Sequence, residues 1–358
     1  MRRSFIPPLA ALALAALQAG PAQAAGRVPP APEYTVQLSH PDNRYVVTPI
    51  EGELPTLEGL PAQLPYGSSS GQWGESGKYF TEQHGTPVGA RIVYFSRYED
   101  AFYRLKAEFP LDVVKTLARR AYANNESQSS DKQLKPFIDT QEVPGYAEEF
   151  NRIGYAYEPL SSVVLGFAPQ GMVVVWFQYG YVSVQIGEYR AERIVDDGAY
   201  ARRLFSRISA TREEIRASRF DPDASPQRWQ AYQTRYRWTP RFVLPPGAPQ
   251  LYRAQIEYFN GEREMLLRPW VDQPATFPRA IPKEITVFWR SARGNVLQGT
   301  ATFDWPAVNK AFGRGEPGPG VLEMRLSEED QSVALQIDGR PVPALTWEAG
   351  RSAQTFRD

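Results

Sequence analysis

The pentapeptide GSSSG at residues 67–71 matches the pattern G-x-S-x-G, in which the central serine is the nucleophile of many hydrolases. That chemistry requires an apolar strand before the serine and a helix after it, so that the hydroxyl stands on a strained turn. Here LPY at 64–66 precedes the pattern and QWG at 72–74 follows it, and both are typical of a loop. His84 follows by only a few residues and His40 lies upstream, so neither matches a downstream catalytic histidine. The pattern predicts a loop and no catalytic residue.

Acidic side chains are the other candidates for acid–base or metal chemistry. Neighbours in sequence point apart on a strand or a helix, so such pairs seldom form an acid–base couple, and solvated surface is the favoured interpretation. The chain has no cysteine and two distant histidines, and no calcium-loop or phosphate-loop pattern occurs, so we expect no metal and no cofactor. The acidic groups are Glu148 with Glu149, Asp196 with Asp197, Asp221 with Asp223, and Glu328 with Glu329 and Asp330.

Cations and aromatic rings alternate in the segment 228–242. The favoured interpretation is a half-buried strand that opens a second domain. The second interpretation is a partner-binding surface, because Arg, Trp and Tyr dominate binding energies at protein interfaces. The polar stretch 124–135 is predicted to be an exposed loop and is a further candidate surface. The predicted partner-binding residues are Arg228, Trp229, Tyr232, Arg235, Tyr236, Arg237, Trp238, Asn124, Asn125 and Lys132.

The N-terminal residues predict export. Arg2 and Arg3 precede an Ala/Leu-rich run at 6–17 that is too short to span a bilayer, and small residues before Ala25 suit a cleavage site. Twin-arginine export remains an alternative to the general route. We therefore expect a periplasmic protein without a lipoprotein cysteine or stable membrane anchor. Removal of residues 1–24 leaves 38 basic against 40 acidic residues (40 − 2 = 38), a balance that argues against nucleic-acid binding.

Length and pattern predict an α+β fold of two tandem domains, each of mainly antiparallel β-sheet with a short helix. Turn residues Pro169 and Gly171 between apolar runs predict consecutive hairpins. A capping-box pattern at Thr211 predicts that a helical stretch from Tyr200 restarts there. The predicted division is a signal peptide at 1–24, a Pro/Gly-rich part of the first domain at 25–90, the first α+β domain at 91–219, a linker at 220–227 and the second α+β domain at 228–358.

The second half repeats the element order of the first. A strand, a turn, a strand ending in an aromatic residue, a proline and a short helix occur after Arg91 and again after Ile285. Phe109 aligns with Phe303 at an offset of 194 residues. We interpret this as a diverged tandem duplication, although two unrelated sheets with similar hairpins would produce the same pattern.

Four segments between Arg91 and Arg193 resemble a bacterial envelope family known as domain of unknown function 2931. They are IVYFS at 92–96, FYRLKAEFP at 102–110, FAPQGMVVVW at 167–176 and VQIGEY at 184–189. The resemblance implies an immunity protein that binds and neutralises a type VI secretion effector, a phospholipase-type toxin. Many members are envelope lipoproteins, whereas this chain lacks the lipid-bearing cysteine.

Three functional hypotheses follow. The first is a non-enzymatic periplasmic protein whose partner is a secreted effector, a lipase, bound directly. The alternative is an envelope module that binds a small molecule or a cell-wall component between its two domains, which aromatic side chains lining a closed pocket would favour. The weakest is a hydrolase that uses Ser69, which would require strand–serine–helix geometry.

Overall fold

Runs of β-branched and aromatic residues form most of the strands, which pair mainly antiparallel. The described chain is β-rich with several short helices, which confirms that part of the fold prediction. Residues 31–358 group into one compact unit. The computed structural model describes residues 31–78, 82–124, 135–141, 156–247, 250–314, 318–327, 332–354 and 356.

The first half of the chain contains helix α1 (Leu111–Ala118) and strands that lie before and after it. The strands are β1 (Glu33–Ser39), β2 (Val47–Leu54), β3 (Ala62–Gln63), β4 (Gln83–His84), β5 (Gly89–Ser96), β6 (Ala101–Glu108), β7 (Arg120–Ala123), β8 (Phe137–Asp139), β9 (Tyr157–Glu158), β10 (Ser162–Phe167), β11 (Met172–Tyr179), β12 (Val182–Arg190) and β13 (Glu192–Arg193).

Three short helices connect the halves: α2 (Gly198–Phe205), α3 (Arg212–Arg219) and α4 (Gln227–Ala231). The second half adds helix α5 (Trp305–Phe312). Its strands are β14 (Arg235–Val243), β15 (Gln250–Tyr258), β16 (Arg263–Leu267), β17 (Phe277–Ala280), β18 (Pro282–Arg290), β19 (Val296–Thr302), β20 (Gly320–Leu326), β21 (Val333–Ile337), β22 (Arg340–Pro341) and β23 (Thr346–Arg351).

Each half contains two five-stranded arrays with the same strand order. In the first half the orders are β4-β1-β10-β11-β12 and β13-β6-β5-β2-β3. In the second half they are β17-β14-β20-β21-β22 and β23-β19-β18-β15-β16. One pair in each half is parallel, β1 with β10 and β14 with β20. The small sheet β8-β7-β9 lies between α1 and β10, and the described residues between α5 and β20 form no such sheet.

The two halves are joined edge to edge. Strand β12 pairs antiparallel with β16 at Ser183 and Arg263, which produces one ten-stranded sheet. Two large hydrophobic cores are nevertheless distinct, one around Trp176 and one around Trp289, and Met265 and Leu267 of β16 pack in the first. Trp229, which the sequence places at the start of the second domain, packs in the first core. Helix α4 thus packs in the first core, whereas Trp238 of the following strand β14 packs in the second.

Several local predictions agree with the structure. Strands β10, β11 and β12 form two consecutive antiparallel hairpins, and Gly171 has a φ of 74° in the first turn. Helix α3 begins with a complete capping box in which the Thr211 side chain accepts from the Glu214 backbone N–H. Helix α1 ends at Ala118, and β7 begins at Arg120.

Two glycines allow the backbones of the halves to touch. A Cβ on Gly74 would lie 2.7 Å from the carbonyl oxygen of Gly261. A Cβ on Gly261 would lie 2.9 Å from the Trp176 ring, whose indole N–H donates to the Asn260 carbonyl at 3.2 Å. The backbones at Gly74 and Gly261 can therefore approach this closely only because glycine has no side chain.

We expect Gly74→Ala to destabilise the protein more than Gly294→Ala. Both glycines have a φ near 80°, but nothing lies within 4 Å of a Cβ on Gly294. Gly294→Ala should cost about 1–2 kcal/mol for the left-handed backbone, and Gly74→Ala about 1–3 kcal/mol more for the backbone collision. Urea unfolding of both variants measures the difference, and equal losses would show that the backbone contact is not tight.

Candidate functional site

A cavity of about 510 Å³ opens where β12 meets β16, and we call it the junction cavity. Residues of β7 and β8 from the first half and residues of β16, β17 and the segment between them from the second half line it. Its wall is mainly apolar and rich in aromatic rings. The main apolar lining residues are Tyr122, Phe137, Val184, Met265, Trp270 and Phe277.

The small sheet is held against the first core by tyrosines. The rings of Tyr122 and Tyr179 lie 4.7 Å apart, and the Tyr179 hydroxyl donates to the carbonyl of Leu117 at 2.7 Å. Tyr122 thereby connects β7 to the end of α1 through β11. This packing supports the small sheet, which forms one wall of the junction cavity.

A buried ion pair forms a polar part of the opposite wall. Arg279 donates from Nε and Nη2 to the two carboxylate oxygens of Glu264 at 2.8 and 3.0 Å. Its Nη1 donates to the carbonyls of Trp238 and Ala275. Burial raises the pKa of the Tyr258 hydroxyl well above its usual value, so this group remains a neutral donor to Glu264 at 2.6 Å. Both carboxylate oxygens of Glu264 therefore accept hydrogen bonds.

Two cavity-lining residues contain a buried polar atom that has no hydrogen-bond partner among the described residues. These atoms are the hydroxyl oxygen of Ser183, which is 2% exposed, and the indole nitrogen of Trp270. An unsatisfied buried polar group costs about 1–3 kcal/mol. Neither atom has accessible surface, so both lie beneath the surface of the cavity.

The arginines on this wall differ in their partners. Arg235 pairs with Glu262 at 2.8 Å, and Arg263 pairs with Glu75 at 3.3 Å. Arg120 has its guanidinium 4.1 Å from the ring centre of Phe137 and donates to the Tyr122 hydroxyl at 3.2 Å. Among the described residues, no carboxylate oxygen lies within 4.0 Å of Arg120.

A second cavity of about 270 Å³, the polar cavity, contains three of the predicted partner-binding residues. Arg228, Trp229 and Tyr232 line it together with acidic side chains such as Asp42 and Glu257. The Arg228 guanidinium donates to the Tyr232 hydroxyl at 2.6 Å. Helix α4 contains Arg228 and Trp229, and Tyr232 follows directly after it. Basic and acidic side chains therefore both line the polar cavity.

The rest of the segment 228–242 is the half-buried strand β14. Arg235 lines the junction cavity and Arg237 is exposed. Tyr236 stacks on Phe312 in the second core, and its hydroxyl donates to Asn309 at 2.8 Å. Trp238 has no exposed surface and offers no contact to a partner.

Of the three predicted partner-binding residues in the polar stretch 124–135, the structure describes Asn124. The side-chain amide of Asn124 donates to Glu158 at 3.4 Å, across the small sheet. Asn125 and Lys132 lie outside the described residues. The sequence analysis did not select the junction-cavity residues Arg120, Ser183 and Trp270, because they stand in three separate segments without a shared pattern.

Ser69 of the GSSSG pattern does contact a histidine, but the histidine is His40. The Ser69 hydroxyl lies 2.8 Å from His40 Nδ1 and also accepts from the Val47 backbone N–H at 3.0 Å. Ser69 is 4% exposed and His40 is 1% exposed, so neither meets a solvent-accessible cleft. His84, the residue considered from the sequence, is exposed beside Glu33. The bond with His40 holds the 67–71 loop to the end of β1, and the bond from Val47 holds it to β2.

We expect acid to weaken this anchor. Burial lowers the pKa of the His40 imidazole, although a hydrogen bond with Asn43 and the charge of Asp42 act in the opposite direction. Below about pH 6.5 the unfolded chain therefore takes up a proton before the folded chain does, and stability falls by at most about 1.4 kcal/mol per pH unit. Above that pH the ring is neutral in both states and makes no such contribution.

Urea unfolding at about pH 7.5 and about pH 5.5 tests this expectation. The His40→Gln variant should lose less stability between the two conditions than the wild type. The His84→Gln variant is the control, since His84 is the other histidine of the chain and is exposed. Equal pH dependence in all three proteins would contradict the assignment.

The comparisons with known proteins add no family. No family model, no curated protein and no solved structure matches the chain. The resemblance to domain of unknown function 2931 therefore stays a prediction. Within the described residues, no group of three or more His, Asp or Glu side chains could hold a metal ion, and no helix is long and apolar enough to cross a membrane.

Proposed function

We propose that this protein is a binding protein whose site is the junction cavity, which takes a small, largely apolar molecule. The volume of the cavity and its mainly apolar wall, which is rich in aromatic side chains, carry this proposal. Small-molecule sites commonly enclose about 300–1,000 Å³ and combine apolar walls with a few directed polar groups. The cavity of about 510 Å³ has that size and composition.

The position of the cavity supports the same proposal. Both halves contribute walls, which corresponds to the hypothesis of a small molecule held between two domains. Tyr122 and Phe137 come from one half, and Trp270 and Phe277 come from the other. A bound molecule would therefore contact both sides of the β12–β16 pair and stabilise their association.

We further infer that the halves arose by tandem duplication. The equal strand orders and the equivalent parallel pairs support this interpretation. The edges that join are not equivalent, because β12 corresponds to β22 and β16 corresponds to β3. The cavity also uses β7 and β8, which lie outside the shared strand order. The cavity is therefore formed partly by strands that are not part of the repeat.

Binding of N-phenyl-1-naphthylamine, a neutral apolar dye, tests the proposal. We expect a saturable rise in dye emission with one site per chain. Val184→Trp should weaken dye binding at least about tenfold, because the indole would fill space beside β12. Val195→Trp is the matched control, since Val195 is 98% exposed. Absence of saturable binding, or unchanged binding in Val184→Trp, would overturn the proposal.

The hypothesis of an immunity protein in the periplasm stays a second proposal. The exposed arginines Arg228 and Arg237 support it to the extent that arginine is enriched at interface hot spots. A pull-down with the tagged mature protein, together with survival of a deletion strain under attack by its siblings, tests it. Recovery of a toxic lipase and death of the deletion strain would support immunity, and full resistance of that strain would contradict it.

A further inference from the structure

The junction cavity contains one cation whose charge the described residues leave unbalanced. Of the four arginines that line it, Arg279 is matched by Glu264 and Arg235 by Glu262. Arg263 pairs with Glu75, which is not among the cavity-lining residues. Arg120 has no carboxylate oxygen within 4.0 Å in the described part of the chain. The wall therefore attracts an anion, and Arg120 is the group with capacity to bind it.

The setting of Arg120 prepares it for this role. Its guanidinium lies over Phe137, which restrains the plane of the group, and one nitrogen is directed to the Tyr122 hydroxyl. A guanidinium has five N–H donors, so donors remain after that bond. Arginine held on an aromatic face loses little further freedom when it binds a planar carboxylate. Such charge-assisted hydrogen bonds are stronger than those between neutral groups.

The apolar wall defines the rest of the molecule. The aromatic and aliphatic side chains require an apolar body. One unbalanced cation matches a single negative charge better than the double charge of a phosphate monoester.

We propose that the ligand of the junction cavity is an apolar monocarboxylic acid whose carboxylate binds Arg120. This inference rests on the proposed binding function and adds the chemical class of the ligand.

Displacement of N-phenyl-1-naphthylamine by matched competitors tests the class. The competitors are dodecanoate, 1-dodecanol and dodecyl phosphate at about pH 8, where the carboxylic acid is ionised. We expect dodecanoate to displace the dye at about tenfold lower concentration than 1-dodecanol, which is the usual scale of one charge-assisted hydrogen bond. Dodecyl phosphate should not displace the dye at a lower concentration than dodecanoate does.

Arg120→Gln should reduce the preference for dodecanoate over 1-dodecanol to near unity while dye binding is retained. Arg119→Gln is the matched control, because the adjacent arginine pairs with Asp139 and does not line the cavity. This variant should keep the preference of the wild type.

The outcomes separate the two proposals. No dye binding in the wild type would reject the binding function itself. Dye binding with equal displacement by acid and alcohol would leave the binding function intact and overturn the acid class. A clear preference for dodecyl phosphate would also overturn the monocarboxylate assignment, and an unchanged preference in Arg120→Gln would overturn the role of Arg120.

Discussion

Arg279→Met should lower the free energy of unfolding by about 3–5 kcal/mol, the usual cost of removing one partner from a buried ion pair. Arg279 is 2% exposed and bonds to both oxygens of Glu264 and to two backbone carbonyls. Its loss leaves both carbonyls without this donor and the Glu264 carboxylate without its cation, with the Tyr258 hydroxyl as its remaining donor. Urea or thermal unfolding monitored by tryptophan fluorescence measures the effect.

An exposed ion pair provides the control for Arg279. Arg44 bonds to Asp42 with two nitrogens, but its side chain is 68% exposed, so Arg44→Met should leave stability nearly unchanged. The double variant Arg279→Met with Glu264→Leu should regain part of the lost stability, because the buried charge is removed as well. Equal losses in Arg279→Met and Arg44→Met would contradict the burial argument.

Trp176→Ala should also cost about 3–5 kcal/mol. The ring has no exposed surface, packs edge-on against Trp73 at 5.1 Å and lies under Gly261 of the second half. Its indole N–H also donates to the Asn260 carbonyl. The substitution therefore removes packing in the first core together with a contact between the halves.

Trp176→Phe separates the two contributions. Phenylalanine keeps much of the buried ring but leaves the Asn260 carbonyl without its donor, so the loss should be about 1–3 kcal/mol. Chemical unfolding of both variants gives the comparison. A Trp176→Ala protein as stable as the wild type would show that this region of the core does not hold the halves together.

The polar cavity and the junction cavity illustrate how one sequence segment divides in space. Residues 228–242 were a single candidate surface because cations and aromatics alternate there. The segment instead forms α4 and then β14, so Trp229 packs in the first core while Trp238 packs in the second. Alternation along β14 sends neighbouring side chains to opposite faces. Composition identified residue types suited to binding, but the direction of each side chain separated them.

Local chemistry was sufficient for much of the fold. The turn at Gly171, the capping box at Thr211 and the strand–strand–helix order after Arg91 and Ile285 depend on neighbours within a few residues. The spacing of apolar residues and the positions of turn residues therefore indicated β-rich halves with short helices. These features are readable because each is stabilised by groups close together in the chain.

The site depended on contacts between distant segments. The pairing of β12 with β16 joins Ser183 to Arg263, and the hydrogen bond of Ser69 with His40 joins a loop to the end of β1. Edge pairing of this kind is made by backbone groups, which carry no sequence signature. Arg120 and Trp270 meet at the junction cavity only because the small sheet and β16 pack beside that edge pair. Short-range patterns thus specified the strands, whereas long-range packing brought together the side chains that form the cavity.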